Sequence, residues 1–511
     1  MRERSMLMPV RRIGGNGQVV LGYNAAAEIR RSPGSVASGG SGDYHLRTDR
    51  GTLLKQSRSY DRDSALFQGM HRSAITNILG AGFQLQAMTG NQRLDQRLEQ
   101  LWREEFCEAP EVRGLDTWPE IERFALSDVM VAGDVGAILL EDGQIQMIEA
   151  ERIDHGGTKP RAGARMESGI ELDGQGRPLR FYVKEYDSKS STTRGRARAI
   201  DREDFVYSAY RRRMSQTRGV PALTASFSDL NRLDDILSSE AASWQILSRL
   251  AVTRKQEDAP RLAGEGSIAQ DNYDPDTEDL AQRVHDVGMA LIFNCKPGES
   301  IEGVTHNIPG PNFEQSVRVF LRLLGLPLGL PLELIILDWS QTTYSSARAA
   351  LEQAFVEFTR WQRLLMHTWH SPIYRWRVRG WIAEGRAPDH AGVLRHAWIT
   401  PSFPWLDQLK EAQAWGMKLD RGLSTHAEAL KSVNRDRDDW LERRERELLE
   451  AAEIAGRIVE AHPELDKAQL TAHFAGLSTK TANTAKKGEQ TPTSDRPEGP
   501  DAKNDDEDGK E

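Results

Sequence analysis

Between Tyr344 and His370 the chain carries its most demanding pattern. Tyr344, Ala347, Leu351, Phe355, Phe358, Trp361, Leu365 and Trp369 follow one another at intervals of three or four residues. That period lays apolar side chains along one stripe of an α-helix. At 1.5 Å per residue, such a helix reaches about 40 Å. A stripe of that length, rich in Trp and Phe, has to be covered by other elements, so the fold must be organised around it. Immediately before it stands "LDWSQTT", Leu337–Thr343. Ser340, Thr342 and Thr343 are good helix caps, and Ser345, Ser346 and Arg348 cover the first turn. Capping accounts for the hydroxyls but leaves Trp339 unexplained.

The rest of the chain alternates helical and β-like text. Residues 61–88 read as a helix followed by the short strand "FQLQAM", and helical spacing returns over 91–107 and 117–132, where Pro119 sits in a first turn that tolerates proline. Two strands are expected around the turn Asp142-Gly143. Residues 141–210 are β-like and irregular, with the basic "RGRAR" of Arg194, Arg196 and Arg198 expected at a loop tip. A long helix follows "GVP", Gly219–Pro221, with Leu223, Phe227, Leu230, Leu233, Leu237 and Trp244 on its apolar side. "GMALIFNC" reads as a strand, and "FEQSVRVFLRLLGLPLGLP" as a helix broken at Pro327. Residues 404–460 are helical and heavily charged. Residues 1–60 are Arg-, Gly- and Ser-rich and read as a flexible arm, and 476–511 have almost no large apolar residue and read as a disordered tail.

Composition narrows the function. A net charge of −9 with 28% charged residues does not suit tight binding to nucleic acid, which needs many cations on phosphates. Two cysteines, Cys107 and Cys295, make neither a disulfide framework nor a cysteine zinc site and suit a reducing compartment. No apolar run reaches a membrane-spanning length, and the basic N-terminus lacks the apolar core of a secretory signal. Phosphate-loop, nucleophile-elbow and metalloprotease patterns are missing. His367 and His370 have the spacing of a ligand pair, but a helix rich in Trp and Arg explains them more simply. Asp134, after Gly133, reads as a turn or strand residue before it reads as a catalytic acid. Trp244, Trp361, Trp369, Trp376 and Trp381 are read as core or subunit packing. The reading is therefore of a non-enzyme with no cofactor and no metal.

Several segments, taken in order, resemble the lambda-type portal proteins of tailed bacteriophages: "YNAAAEIRR" from Tyr23, "RSAITNILGAGFQLQ" at 72–86, "RGVPAL" with Gly219 and Pro221, "TTYSSARAALEQAF" with Tyr344, Ser345, Ser346 and Arg348, and "PWLDQLKEAQAWGMKLDRGLSTHAEAL" at 404–430. The last departs from the family pattern, since Gln408 stands where a proline is usual.

The resemblance implies an α+β, mainly helical portal fold assembled as a ring, usually of twelve chains, at one vertex of a capsid, with double-stranded DNA passing through its channel. It implies a division into arm (1–60), wing (61–117), stem helix (118–140), clip (141–210), stem helix (211–256), second wing part (257–325), tunnel loop (326–343), long wing helix (344–372), crown (373–475) and tail (476–511). Leu330, Ile335, Trp339, Ser340 and Gln341 are then the channel candidates, and Arg194, Arg196 and Arg198 the motor-facing ones. The implied partners are further copies of the chain, DNA, the terminase large subunit, a major capsid or scaffolding protein and a head–tail connector, with no membrane. The implied location is the virion, after assembly in the host cytoplasm. The alternatives are another head–tail adaptor ring, or a nuclease or protease fused to a structural domain.

Overall fold

The structure is a computed structural model that describes residues 40–186, 193–249, 252–254, 284–287, 290–294, 310, 312–390, 392–401, 408–433, 435–462 and 465–475. Tyr23, the tail 476–511 and most of 250–309 lie outside the described residues. The chain divides into two units, 1–412 and 413–511.

The first unit opens with α1 (Gly42–Asp63) and α2 (Ala65–Leu79), joined at Ser64, which ends one helix and caps the next. The arm expected over 1–60 therefore gives way to a packed helix from Gly42. Then come β1 (Gln84–Ala87), α3 (Gln92–Leu101) with a π-turn over Trp102–Phe106, and α4 (Trp118–Val131). A capping box between Thr117 and Glu120 starts α4 and places Pro119 in its first turn.

Two small sheets follow. The strands are β2 (Asp134–Leu139), β3 (Ile145–Glu149), β4 (Arg165–Glu167), β5 (Ile170–Leu172), β6 (Pro178–Tyr186), β7 (Thr193–Asp201) and β8 (Phe205–Ala209). One sheet has the order β3-β2-β8 and the other β4-β5-β6-β7. They share a core of Ile138, Ile148, Ile170, Phe181, Val183 and Phe205, with the Phe181 and Phe205 rings stacked at 4.3 Å. The close approach needs glycine at 136, because a Cβ there would fall on the Phe205 ring.

A 3-10 turn at Ala222–Ser226 leads into α5 (Phe227–Arg249). Next come β9 (Val252–Arg254), β10 (Val284–Val287) and β11 (Ala290–Asn294), which form a sheet of order β10-β11-β9, and then α6 (Phe313–Gly325). Helix α6 stops where expected: Pro327 lies in a 3-10 turn ending at Gly329, whose φ of +67° favours glycine. A short α7 (Leu332–Ile336) precedes α8 (Tyr344–Leu365), which runs through a π-turn at Met366–His370 into α9 (Ser371–Ala383). β12 (His396–Ile399) then pairs antiparallel with β1, Gln84 opposite Ile399.

The apolar stripe is the centre of this unit. Phe358, Trp361, Leu365, Trp369 and Trp381 are almost fully buried in one core with Phe67, Met70, Leu98, Trp118 and Leu126. Trp376 is half-buried at its edge, and Trp244 on α5 is 54% exposed.

α10 (Gln408–Asp420) begins in the first unit. The second holds α11 (His426–Lys431), α12 (Arg437–Ala461) and α13 (Lys467–Phe474). There α12 and α13 pack around small residues, Ala451, Ala455 and Ala475.

Candidate functional site

The stretch ahead of α8 is an exposed loop narrower than its expected bounds. Within 326–343, residues 326–336 are turn and helix, and only 337–343 is irregular. Leu330 and Ile335, expected among the channel candidates, are instead 4% and 8% exposed in the core of the same chain. A loop tip cannot present side chains that close the apolar core beneath it. Trp339, Ser340 and Gln341 are exposed.

Local hydrogen bonds shape the loop. Leu337 sits in the left-handed region at φ +54° with its side chain in solvent. The Asp338 carboxylate accepts from the Ser340 N–H at 2.9 Å, which holds the carboxyl below its usual range. The Trp339 carbonyl accepts from the Thr342 N–H and hydroxyl. Thr343 caps α8 by accepting from the Ser346 N–H, while the Ser346 hydroxyl donates to the Thr343 carbonyl. These hydroxyls are therefore spent on the helix start.

The loop-proximal turn is tied to another motif. Arg348 bonds Glu352 at 2.9 Å and Glu411 at 2.8 Å, and the Lys410 ammonium lies 5.5 Å from the centre of the Tyr344 ring. Tyr344 and Arg348 of "TTYSSAR" thus meet Lys410 and Glu411 of "DQLKEA".

The far end of the same helix is anchored by buried polar pairs. His370 contacts Glu122 at 2.6 Å, and the Glu122 carboxylate also accepts from the Phe83 N–H. His367 is exposed, so the two histidines do not converge. Among the described residues no group of three or more metal-ligating side chains forms.

A second motif, "RGVP", is explained by an ionic bracket. Arg218 is 1% exposed and uses all five guanidinium donors. Nε and Nη2 reach the Asp134 carboxylate at 2.7 and 2.8 Å, Nη2 also donates to the Ala150 carbonyl, and Nη1 donates to the Ile153 and Ser168 carbonyls. Asp134 also accepts from the Tyr207 hydroxyl, the Gly219 N–H and Arg50. Burial works against this carboxylate, but Arg218 and Arg50 outweigh it and hold the carboxyl at about 2. Burial and Asp134 together push the Tyr207 phenol up. Gly133 and Gly219 touch through their backbones, and a Cβ on either would overlap the other's chain. The motif requires glycine at 219 for that reason, and Pro221 then carries the chain into the turn before α5. Asp134 is thus a structural ion-pair partner. Its pairing with Arg218, 84 positions away, could not be read from local pattern.

The basic segment departs from expectation. Residues 194–198 lie inside β7, paired with β6 (Val183 opposite Arg198, Glu185 opposite Arg194), and not at a loop tip. Strand alternation leaves Arg196 and Arg198 exposed and buries Ala197 between them.

Compared with known proteins, the chain matches a family model described as phage portal protein, lambda family, over residues 29–362, more than half of its 511 residues. The chain belongs to the lambda family of phage portal proteins. The match takes in the ionic bracket, both sheets, the loop and α8 as far as Gln362, so portal-family membership rests on the regions just described. It assigns a structural role. Solved structures with a similar chain include the virion of a native gene transfer agent particle (14% identity, TM-score 0.39, 75% of this chain and 93% of that one). They also include the neck of an empty particle computed with C6 symmetry (14%, 0.40, 74% and 94%) and of a native one computed with C12 symmetry (13%, 0.37, 76% and 94%). At those TM-scores the likenesses add nothing to the portal-family assignment. Among the described residues no helix is long and apolar enough to cross a membrane.

Proposed function

We propose that this chain is the subunit of a portal ring at one vertex of a phage-type capsid, through whose bore double-stranded DNA is packaged and ejected. The observation that carries the reading is the family match across 29–362. The geometry supports it in two ways. Apolar side chains stay uncovered on successive elements: Leu237 and Trp244 on α5, Val319 and Leu323 on α6, Leu326 after it, and Val356 on α8. Such surface suits a head-to-tail interface that closes into a ring. The loop 337–343 offers a Trp, a hydroxyl and an amide and no cation, which suits contact with sliding DNA without capturing its phosphates. Trp339, Ser340 and Gln341 are the bore-facing residues in this reading.

In this reading the segment facing a packaging motor is 141–210, where Arg196 and Arg198 stand exposed on β7. The terminase large subunit, a capsid or scaffolding protein and a head–tail connector are the partners this reading calls for, and the virion is its location.

Negative-stain images and mass photometry of the purified full chain test the reading. Rings with a central hole are expected. A population of monomers only, across the concentration range, overturns it.

A further inference from the structure

One basic cavity lies apart from the loop. It measures about 680 Å³ and is walled on one side by the segment 209–214 and on the other by 360–368 of α8 and its π-turn. Its basic side chains are Arg211, Arg212, Arg213, Arg360, Arg363 and the imidazole of His367, and among the described residues no carboxylate lines it. All six are exposed. Arg360 is paired with Glu357 at 2.8 Å, and Arg213 donates to the Gly40 carbonyl. Arg211, Arg212 and Arg363 have no ion-pair partner among the described residues. In a chain of net charge −9, this grouping is not an average of composition.

The cavity is built and not a chance gathering of long side chains. The Gln216 side-chain oxygen accepts from the Arg212 and Arg213 N–H groups, both at 2.7 Å, and closes the arginine turn. Tyr210 at its base donates its N–H to the Gly133 carbonyl and accepts from Val220, so the turn springs from the ionic bracket. Opposite, Arg360, Arg363 and His367 are three and four residues apart on one helical face. They span about 10 Å, the rise of roughly three nucleotides of one strand at 3.4 Å each. The Tyr210 and Trp361 rings are stacked at 4.8 Å and buried, which closes the floor to an inserted apolar side chain or base.

We infer that this cleft is a site for the phosphates of a nucleic-acid backbone, with Arg211 and Arg212 on one wall and Arg363 on the other. Guanidinium groups grip phosphate oxygens in pairs and in fixed geometry, and a cleft with cations on both walls straddles a backbone. The closed floor favours a backbone over an acidic peptide anchored by apolar residues. The cleft begins about 24 Å along α8 from Tyr344, so it holds DNA away from the loop across which DNA slides. The inference rests on the portal reading for the presence of DNA in the particle.

The test uses the full chain, a short fluorescein-labelled duplex and fluorescence anisotropy over a salt series from about 50 to 200 mM. The double variant Arg211→Ala, Arg363→Ala is expected to bind about ten-fold more weakly or worse and to lower the salt slope by about two units. Arg211→Lys, Arg363→Lys is expected to keep most of the slope. Both arginines are exposed, so thermal midpoints should match the wild type. Unchanged affinity and slope in a folded Ala variant overturns the inference. So does wild-type binding of a poly-glutamate peptide in place of the duplex. Ring imaging of the same samples separates the two claims. Rings whose DNA binding ignores the substitutions sink the cleft alone, while globules whose DNA binding still depends on them sink the ring and leave the cleft.

Discussion

The Arg218 bracket and the 337–343 loop with the first turn of α8 are both polar, and both carry a family motif, yet they obey opposite physics. In the bracket the polar atoms of Arg218 and Asp134 are taken out of water and satisfied by specific partners up to 85 positions away. In the loop the polar atoms are solvated and satisfied within two or three residues. The bracket therefore contributes to whether the chain folds, and the loop only to what its surface touches. Substitutions should divide along that line.

The largest effect is expected at the bracket. Arg218→Met leaves the Asp134 carboxylate buried without its main partner and should cost roughly 3–5 kcal/mol, read from chemical denaturation of the full chain. A loss below about 1 kcal/mol would show that the bracket is solvated, and the contrast would collapse.

A paired substitution on the apolar side tests the same division. Trp361→Ala, 2% exposed in the wild type, should cost roughly 3–5 kcal/mol. Trp339→Ala, 38% exposed, should cost less than about 1 kcal/mol while altering DNA retention in particles. Equal losses would place Trp339 in a core and remove it from the bore.

The third effect is pH-dependent. His71 lies buried beside the Phe67 ring, and burial pushes its imidazole down to about 4. Its folded value is below the ordinary one, so the unfolded chain takes the proton first and stability falls as pH drops from about 6.5 towards 4. The loss between pH 7.5 and 5.5 should be roughly 1 kcal/mol and absent from His71→Gln. A variant with the wild-type slope would assign the effect to other groups.

The smallest effect is expected at Leu337, a non-glycine residue in the left-handed region. Leu337→Gly relieves strain and adds chain entropy, so the net change should stay within about 1 kcal/mol of zero. A larger loss in thermal midpoint would mean that the exposed Leu337 side chain is held by a neighbouring subunit.

What the sequence made legible follows the same contrast. Local order could be read: the stripe of α8, the capping box of α4, the hairpin at Asp142-Gly143 and the stop at Pro327 each depend on residues a few positions apart. Order that depends on distant partners could not. Helix α1 looked like an arm because its text is polar. It is held by Asp43 on Thr217, Arg50 on Asp134 and Arg58 on Glu151, with Leu46, Leu53, Leu54 and the ring of Tyr60 as apolar anchors. Leu330 and Ile335 looked like loop residues because Gly and Pro surround them, but the turn that bonds the Leu330 N–H to the Gly325 carbonyl and the short helix that carries Ile335 bury both. The placement of "RGRAR" in a strand depended on pairing with β6, and a Gly-containing basic run carries no sign of that.

The π-turn at 366–370 has a mechanical consequence. The helical run from Tyr344 to Ala383 is close to 60 Å long at 1.5 Å per residue. It is a beam clamped by buried side chains from Leu351 to Trp381, with its Tyr344 end held at the surface by the contacts of Tyr344 with Lys410 and of Arg348 with Glu411. A side load on that end is a bending moment, greatest where the clamp begins. The widened turn is the beam's softest cross-section, and it lies inside the clamp, pinned by His370 to Glu122. A push on the loop is therefore delivered as tilt to the seven-residue reach before Leu351, while the register of the clamped portion stays fixed.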